Sequence, residues 1–413
     1  MKKITYIVIL LAVAMILGGC SGKGKQAGSL VLGIWPGNDP EWTTIEQLRQ
    51  NFEAENGIPI EWRIYDSANL SVQIQADLAA GTAPDAFYVD SSLVEQFVEL
   101  GVLSPLDKSV FNTSAFYQNT LDTFTFNGTV YAIPKDQSSL ARYVNTGLLA
   151  EAGFTLADIP DSLEGYLEFL PRLQAALDAR FGAGRVFAAS GVIDPARLLH
   201  LINRDASPFL ANGDSNMSDP LVERHVEFIY SLFATGAMRT PQQMGAGWNG
   251  EALATERAVI TEEGNWVYPF LLNQFPQVKF EVLEMPTYQG KRSGMIFTVG
   301  WGINAASAKR DMATKWIQYV TGPEGMYDWT IGAGILPARP DVAARMESEL
   351  APGLRTHIEQ IPFSTPWVMG RFTSIISGAF MNFMGAAMEG TMSVQEAMRN
   401  ADAQANLQIG FAR

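Results

Sequence analysis

The six residues Leu30-Val31-Leu32-Gly33-Ile34-Trp35 contain no charged or hydroxyl-bearing side chain, the pattern of a strand buried on both faces. Such a strand needs helices above and below it, and the next segment supplies one. Thr43 and Glu46 read as a capping box, Ile45, Leu48 and Phe52 share one helical face, and Gly57 stands at the C′ position. Residues 58–65 alternate as a second strand, and 70–80 form a helix with Ile74 and Leu78 inward and Gly81 at its end. Residues 86–89 give a third strand and 92–100 a helix closed by Gly101. Strands joined by helices lie parallel, so the chain is expected to adopt an α/β fold.

What precedes the first strand reads as an export and anchoring device. Met1-Lys2-Lys3 is positive, and residues 4–17 form an apolar run shorter than the ~20 residues a membrane span takes. Cys20, the one cysteine of the 413 residues, follows directly after Leu17-Gly18-Gly19. This arrangement is similar to the bacterial lipobox. Residues 1–19 are therefore expected to be a lipoprotein signal peptide, Cys20 the lipidated first residue of the mature chain, and 20–28 a tether; an uncleaved anchor helix is the competing reading. The protein would then be extracytoplasmic and held to a bacterial membrane through lipidated Cys20.

The remaining length suffices for two domains. The net charge of −14, more negative still once Lys2 and Lys3 are removed, argues against nucleic acid or an anionic membrane surface as ligand. One cysteine permits no internal disulfide and no zinc site built on several cysteines. Other motifs lack their context. Gly245-Ala246-Gly247-Trp248-Asn249-Gly250 matches a dinucleotide fingerprint but follows no strand, so it reads as a loop. Asp214, Asn216 and Ser218 are spaced like the start of a calcium loop, but Asp219 stands where Gly is required, and Asp219-Pro220 reads better as a helix start. His200, His225 and His357 have no partner at metal-binding spacing and read as surface or satisfied core residues.

Further segments carry a resemblance. Residues 73–90 run from a helix ending in Ala80-Gly81 through Pro84-Asp85 into a strand, and residues 127–134 lead from Asn127-Gly128 to Ile133-Pro134. Tyr143-Val144-Asn145 precedes Leu148-Leu149 and Gly153, and residues 256–266 end in Gly264-Asn265-Trp266. Gly302-Ile303-Asn304, a helix over 311–320 and Gly334-Ile335-Leu336-Pro337 complete the series. In this order the segments resemble the extracellular solute-binding proteins of ABC importers, of the sugar-binding, maltose-binding-like type, over residues 30–407.

The resemblance implies a two-lobed, type II periplasmic-binding-protein fold. Lobe 1 would comprise 29–135 and 295–335, and lobe 2 136–294 and 336–413. Crossings near 134–136, 331–337 and 290–295 would serve as the hinge. It further implies a monomer that is not an enzyme and needs no cofactor or metal. Such a protein captures a small-molecule sugar between its lobes and hands it to the transmembrane subunits of an ABC permease.

Sugars are held by flat aromatic faces and by polar groups on their hydroxyls. Of the nine tryptophans, Trp62 and Trp316 fall in phase with core positions, Trp42 at a helix start suits either role, and Trp329 is a weaker cleft candidate with closing a helix as its competing role. Trp35, Trp248, Trp266, Trp301 and Trp367 sit beside Gly, Pro or loop residues and are the expected cleft walls, Trp266 and Trp301 above all by the resemblance. Asp39, Asp90 and Asp136 are the candidate acceptors and Arg371 or Arg339 the candidate donor, with a helix cap as the competing role for Asp90 and a structural ion pair for Arg371. Other classes remain open on sequence alone. They are a lipid-anchored glycoside hydrolase using Asp39 and Asp136, a receptor docking on a sensor, and a binder of polyols or glycerophosphodiesters.

Overall fold

A computed structural model describes residues 28–35, 39–65 and 70–413, the side chains of 70–72 excepted. The signal segment, Cys20, nearly all of the tether and Pro36-Gly37-Asn38 lie outside the described residues.

The first lobe begins β1 (Leu30–Ile34), α1 (Asp39–Asn56), β2 (Ile60–Ile64), α2 (Leu70–Ala80) and β3 (Ala86–Asp90). β1 pairs in parallel with β2 and with β3. The chain then enters β4 (Ala132–Asn145), a strand of 14 residues that runs out of the first lobe and into the second. There β5 (Phe187–Ser190), β6 (Met238–Arg239) and β7 (Ala258–Gly264) lie parallel to one another. β8 (Phe280–Leu283) borders β4, and β9 (Gly294–Ile303) returns antiparallel to it. β10 (Ser364–Pro366) pairs with the start of β9. The central order is thus β2-β1-β3-β9-β4-β7-β5-β6. The outer strands are parallel, as the βαβ pattern implies, but the two that join the lobes are antiparallel, so the sheet is mixed.

Two bodies of apolar side chains flank this sheet. In the first, Leu32, Phe52, Trp316 and Trp301 pack under α1, with Phe87, Phe97 and Phe124 on the opposite face. In the second, Tyr166, Leu173, Val222, Phe380 and Ala401 form a helical layer over β4, β5 and β7, and Tyr143, Leu253 and Leu271 fill the other side. The helix Pro340–Met346, expected in lobe 2, buries Val342 and Met346 in the first body. The chain therefore stays with the first lobe beyond residue 335.

Local chemistry explains most boundaries. Asp219 caps its helix by accepting from the Leu221 amide (2.8 Å), with Pro220 in the first turn. Asn145 accepts from the Leu148 amide (3.0 Å) and so turns β4 into a helix. α1 differs from the expectation. It starts at Asp39, because Pro40 and Glu41 already suit a first turn, which leaves Thr43 inside the helix. All three histidines are buried; His225 bonds Tyr288 and Asp205, and His357 bonds Tyr143 and Ser139.

Trp301 is a correction. It is 1 % exposed, in the core, and its ring meets Tyr88 edge-on at 4.5 Å and Trp316 at 5.8 Å. The glycines beside it serve close packing: a Cβ on Gly300 would sit 2.9 Å from Ala132 and Phe124, and one on Gly302 2.7 Å from Leu103. Trp301→Ala is expected to destabilise the protein by about 3–5 kcal/mol in chemical denaturation. Loss of ligand affinity with stability intact would return Trp301 to the cleft wall.

Candidate functional site

The site is built where β4 and β9 pass between the lobes. Their register pairs Ser138 with Phe297 and Asp136 with Val299, then slips between Val299 and Gly300 so that Gly300 faces Pro134. Lys135 is the extra residue of this bulge. In a regular strand neighbouring side chains point to opposite faces, but a bulge re-aims one of them. Here the Lys135 ammonium reaches the Asp136 carboxylate on the same side of the sheet, and both are buried. Lys135 Nζ lies 4.9 Å from the Tyr88 ring centre and 4.5 Å from that of Trp329. Trp329 Nε1 donates to Asp136 Oδ2 (2.9 Å).

Alternation then fixes which side chains look into the cleft. Asp136, Ser138 and Leu140 share one face of β4, and Val299 and Phe297 share it on β9. Ser138, Phe297 and Val299 are partly exposed, whereas Gln137, Ser139 and Thr298 on the opposite face are buried. Asp90 pairs with Val299 from the other side, so Asp90 and Asp136 flank the same residue. Asp90 also caps the turn Ser91–Leu93, its Oδ1 accepting from the Ser92 amide (2.9 Å) and hydroxyl (2.6 Å). Burial pushes its carboxyl up despite those bonds.

Two aromatic walls rise from this floor. On the first lobe, half-buried Trp35 meets Tyr88 edge-on at 4.9 Å. On the second, Trp266 meets Phe297 at 5.8 Å, and its ring lies so close over Gly264 that a Cβ there would fall 2.1 Å from it. Trp248 is held the same way over Gly250 and packs on Phe270 (5.0 Å). Trp248 and Trp266 border one small core around Val267 and Leu271. Trp367 is half-buried beside the floor, its amide donating to the Ile296 carbonyl (2.8 Å).

Polar groups line the carboxyl edge of the second-lobe sheet. Glu263 is fully buried and accepts from Arg197 Nη2 (3.0 Å) and Asn249 Nδ2 (3.1 Å), while the Ser190 hydroxyl donates to Asn249 Oδ1 (2.7 Å). Arg197 also pairs with Asp194 at 3.0 Å. The sequence reading missed this cluster, and Tyr88, Lys135 and Phe297 as well. The adjacent acidic pair after Ile260-Thr261 was the available signal for Glu263.

The structure therefore brings together Trp35, Asp90, Asp136 and Trp266, with Trp248 and Trp367 at the margins. Asp39 is exposed at the first residue of α1. Arg371 is corrected. It pairs with Glu99 (2.7 Å) and lies over Phe372, in a groove beside the cleft rather than on its floor. Among the described residues no group of three or more His, Cys, Asp or Glu is placed to hold a metal, and no helix is long and apolar enough to cross a membrane.

Glu262 stands apart. It faces Arg142 across β4 and β7 and lies near Tyr166, and burial pushes its carboxyl up to about 7 against the pull of Arg142. A folded state that holds this proton more tightly than the unfolded chain loses stability as pH rises through that value. The ionised form costs up to about 3 kcal/mol. Glu262→Gln should thus melt close to the parent at pH 4.5 and several degrees above it at pH 8, as read by differential scanning calorimetry.

Residues 47–356 match the family described as bacterial extracellular solute-binding protein. The Multiple sugar-binding protein of Streptococcus mutans is 22% identical over 351 residues, covering 79% of this chain and 80% of that one. Among solved structures, an ABC substrate-binding protein from Listeria monocytogenes in complex with cycloalternan superposes with a TM-score of 0.78 at 16% identity, over 92% of this chain and 99% of that one. The GacH receptor of Streptomyces glaucescens, solved unliganded and with acarbose, gives 0.75 at 17% identity, over 91% and 97%. The mixed sheet, the two lobes and the matched span agree, and the chain belongs to the bacterial extracellular solute-binding proteins.

Proposed function

We propose that this protein captures a carbohydrate, from a mono- to an oligosaccharide, between its lobes and delivers it to the transmembrane subunits of an ABC importer. The observation that carries this reading is the floor itself: Phe297 and Val299 between the walls of Trp35 and Trp266, with Asp90 and Asp136 alongside. Aromatic faces suit the C–H surfaces of a sugar ring, and carboxylates suit its hydroxyls. The relatives named above, a sugar-binding protein and receptors solved with cycloalternan and acarbose, support it. Asp136, fixed in place by Lys135 and Trp329, would accept from a ligand hydroxyl in a set direction.

In this reading Cys20 carries a lipid that anchors the mature protein to the membrane, and 20–28 is its tether. The lobes divide near Gln137 and Phe297 and between Leu350, which packs on the first body, and the helix Pro352–Gln360, whose His357 bonds Tyr143 in the second. These three segments carry the angular change. A ligand touching both lobes favours the closed state, whereas one touching a single lobe shifts nothing.

A fragment of residues 29–413 titrated with mono-, di- and oligosaccharides should show a tryptophan fluorescence change and a smaller radius of gyration by X-ray scattering at saturation. Binding without compaction would remove the hinge, and turnover of a labelled oligosaccharide would replace capture by hydrolysis. Trp266→Ala should weaken binding by at least tenfold, about 1.4 kcal/mol, under conditions where calorimetry shows the variant still folded. Gly264→Ala, which displaces the Trp266 ring, should act in the same direction.

A further inference from the structure

A cavity of about 40 Å³ runs from the carboxyl edge of the second-lobe sheet, at Ser190, Gly191 and Asn249, inward between the helices Leu163–Phe181, Pro195–Ile202 and Pro220–Ala234. Leu140 lines it. Leu140 is the next residue after Asp136 and Ser138 on the cleft face of β4, so the cavity begins where the floor of the cleft ends. Its inner walls are apolar, formed by Leu198, Ile229, Phe233 and Met238 among others.

Nearly every polar group on its surface is already engaged. The Ser190 hydroxyl and Asn249 bond each other, Arg197 is held by Asp194 and Glu263, the Thr261 hydroxyl donates to the Ser190 carbonyl (3.1 Å), and the Tyr166 hydroxyl accepts from Arg142 (3.3 Å). Glu262 is the exception. It lines the cavity and keeps some accessible surface there, while its Oε1 is enclosed without a hydrogen-bond partner. A buried acceptor left unmade is costly, and burial has raised the carboxyl of Glu262 accordingly.

We propose that this cavity is a specificity pocket for the exocyclic hydroxymethyl group of a neutral hexopyranose, with the Glu262 carboxyl accepting from its hydroxyl. The inference rests on the carbohydrate reading above. The volume admits roughly two or three water-sized groups, too few for a sugar ring or an acetamido group and enough for CH2OH. The methylene meets the apolar walls, and the hydroxyl supplies the donor that Glu262 lacks. A ligand carboxylate would be repelled by Glu262. The 6-deoxy sugar would leave the acceptor unpaired, which is the kind of difference a polar pocket discriminates most strongly.

The test uses four trisaccharides that differ only at C5 of the terminal ring: maltotriose and its 6-deoxy, pentose and glucuronate counterparts, titrated by calorimetry into the parent fragment, Glu262→Leu and Glu262→Gln. The parent should prefer maltotriose by at least tenfold over each of the others. Glu262→Leu should lose that preference, and Glu262→Gln, which keeps an acceptor oxygen, should retain part of it. Binding of all four with equal affinity, or a preference that survives in Glu262→Leu, would overturn the pocket and leave carbohydrate capture standing. No binding of these or of any other sugar would overturn both.

Discussion

The antiparallel ladder of β4 and β9 is the element on which the rest of the structure depends. It is shared by both lobes, so the first-lobe strands β3, β1 and β2 and the second-lobe strands β7, β5 and β6 are positioned from the same pair of chains. A one-residue slip in such a ladder would exchange its two faces. The bulge between Val299 and Gly300 uses that property locally. It lets Lys135 and Asp136, neighbours in sequence, emerge on one face, and the ion pair, Trp329 and the aromatic ring of Tyr88 are then arranged around them.

Charge burial is tolerated here because each group is given several partners. Asp136 has an ammonium and an indole N–H, Glu263 a guanidinium and an amide, and Lys135 two aromatic faces. Removing one member of such a set leaves the others uncompensated, which is why buried pairs act as rigid fixtures even where their net contribution to stability is small. The aromatic side chains form a second, continuous support. Trp35 leans on Tyr88, Tyr88 on Trp301, Trp301 on Trp316 and Trp316 on Phe52, with ring centres 4.5–5.8 Å apart. Trp301 thus backs Tyr88 from within the core.

That column shows what could be read from sequence. Gly264 beside Trp266 marks a ring that needs room, and in the structure the ring does fold back over that glycine. The same reasoning misplaced Trp301: Gly300 and Gly302 flank it equally, but they make way for Phe124, Ala132 and Leu103 in the core. A glycine signals close approach without saying what approaches. Asp136 stood out as the carboxylate at a crossing, yet its partners come from Lys135 through a bulge that has no sequence signature and from Trp329 almost two hundred residues away. Arg371 was drawn toward the ligand for want of nearby charge, whereas Glu99 lies next to it in space. The first three strands and the helices that join them were legible from periodicity, but the antiparallel order of β3, β9 and β4 depends on long-range pairing that local pattern does not encode.

The contacts between the lobes also bear on how far closure can be driven. Arg371 meets Glu99, and the Ser91 hydroxyl donates to the Trp367 carbonyl (3.1 Å), both across the edge of the sheet where β3 gives way to β10. Arg371 and Glu99 are partly exposed, and a pair of that kind contributes at most about 1 kcal/mol. Such contacts limit the lobes' relative position without locking it. On the proposed hinge, the free energy that separates an open from a closed arrangement would therefore come mainly from what fills the space between Trp35 and Trp266. A cleft whose polar groups are already held in place by their own partners loses little further order when that space is filled, so more of the ligand's contact energy is available for closure.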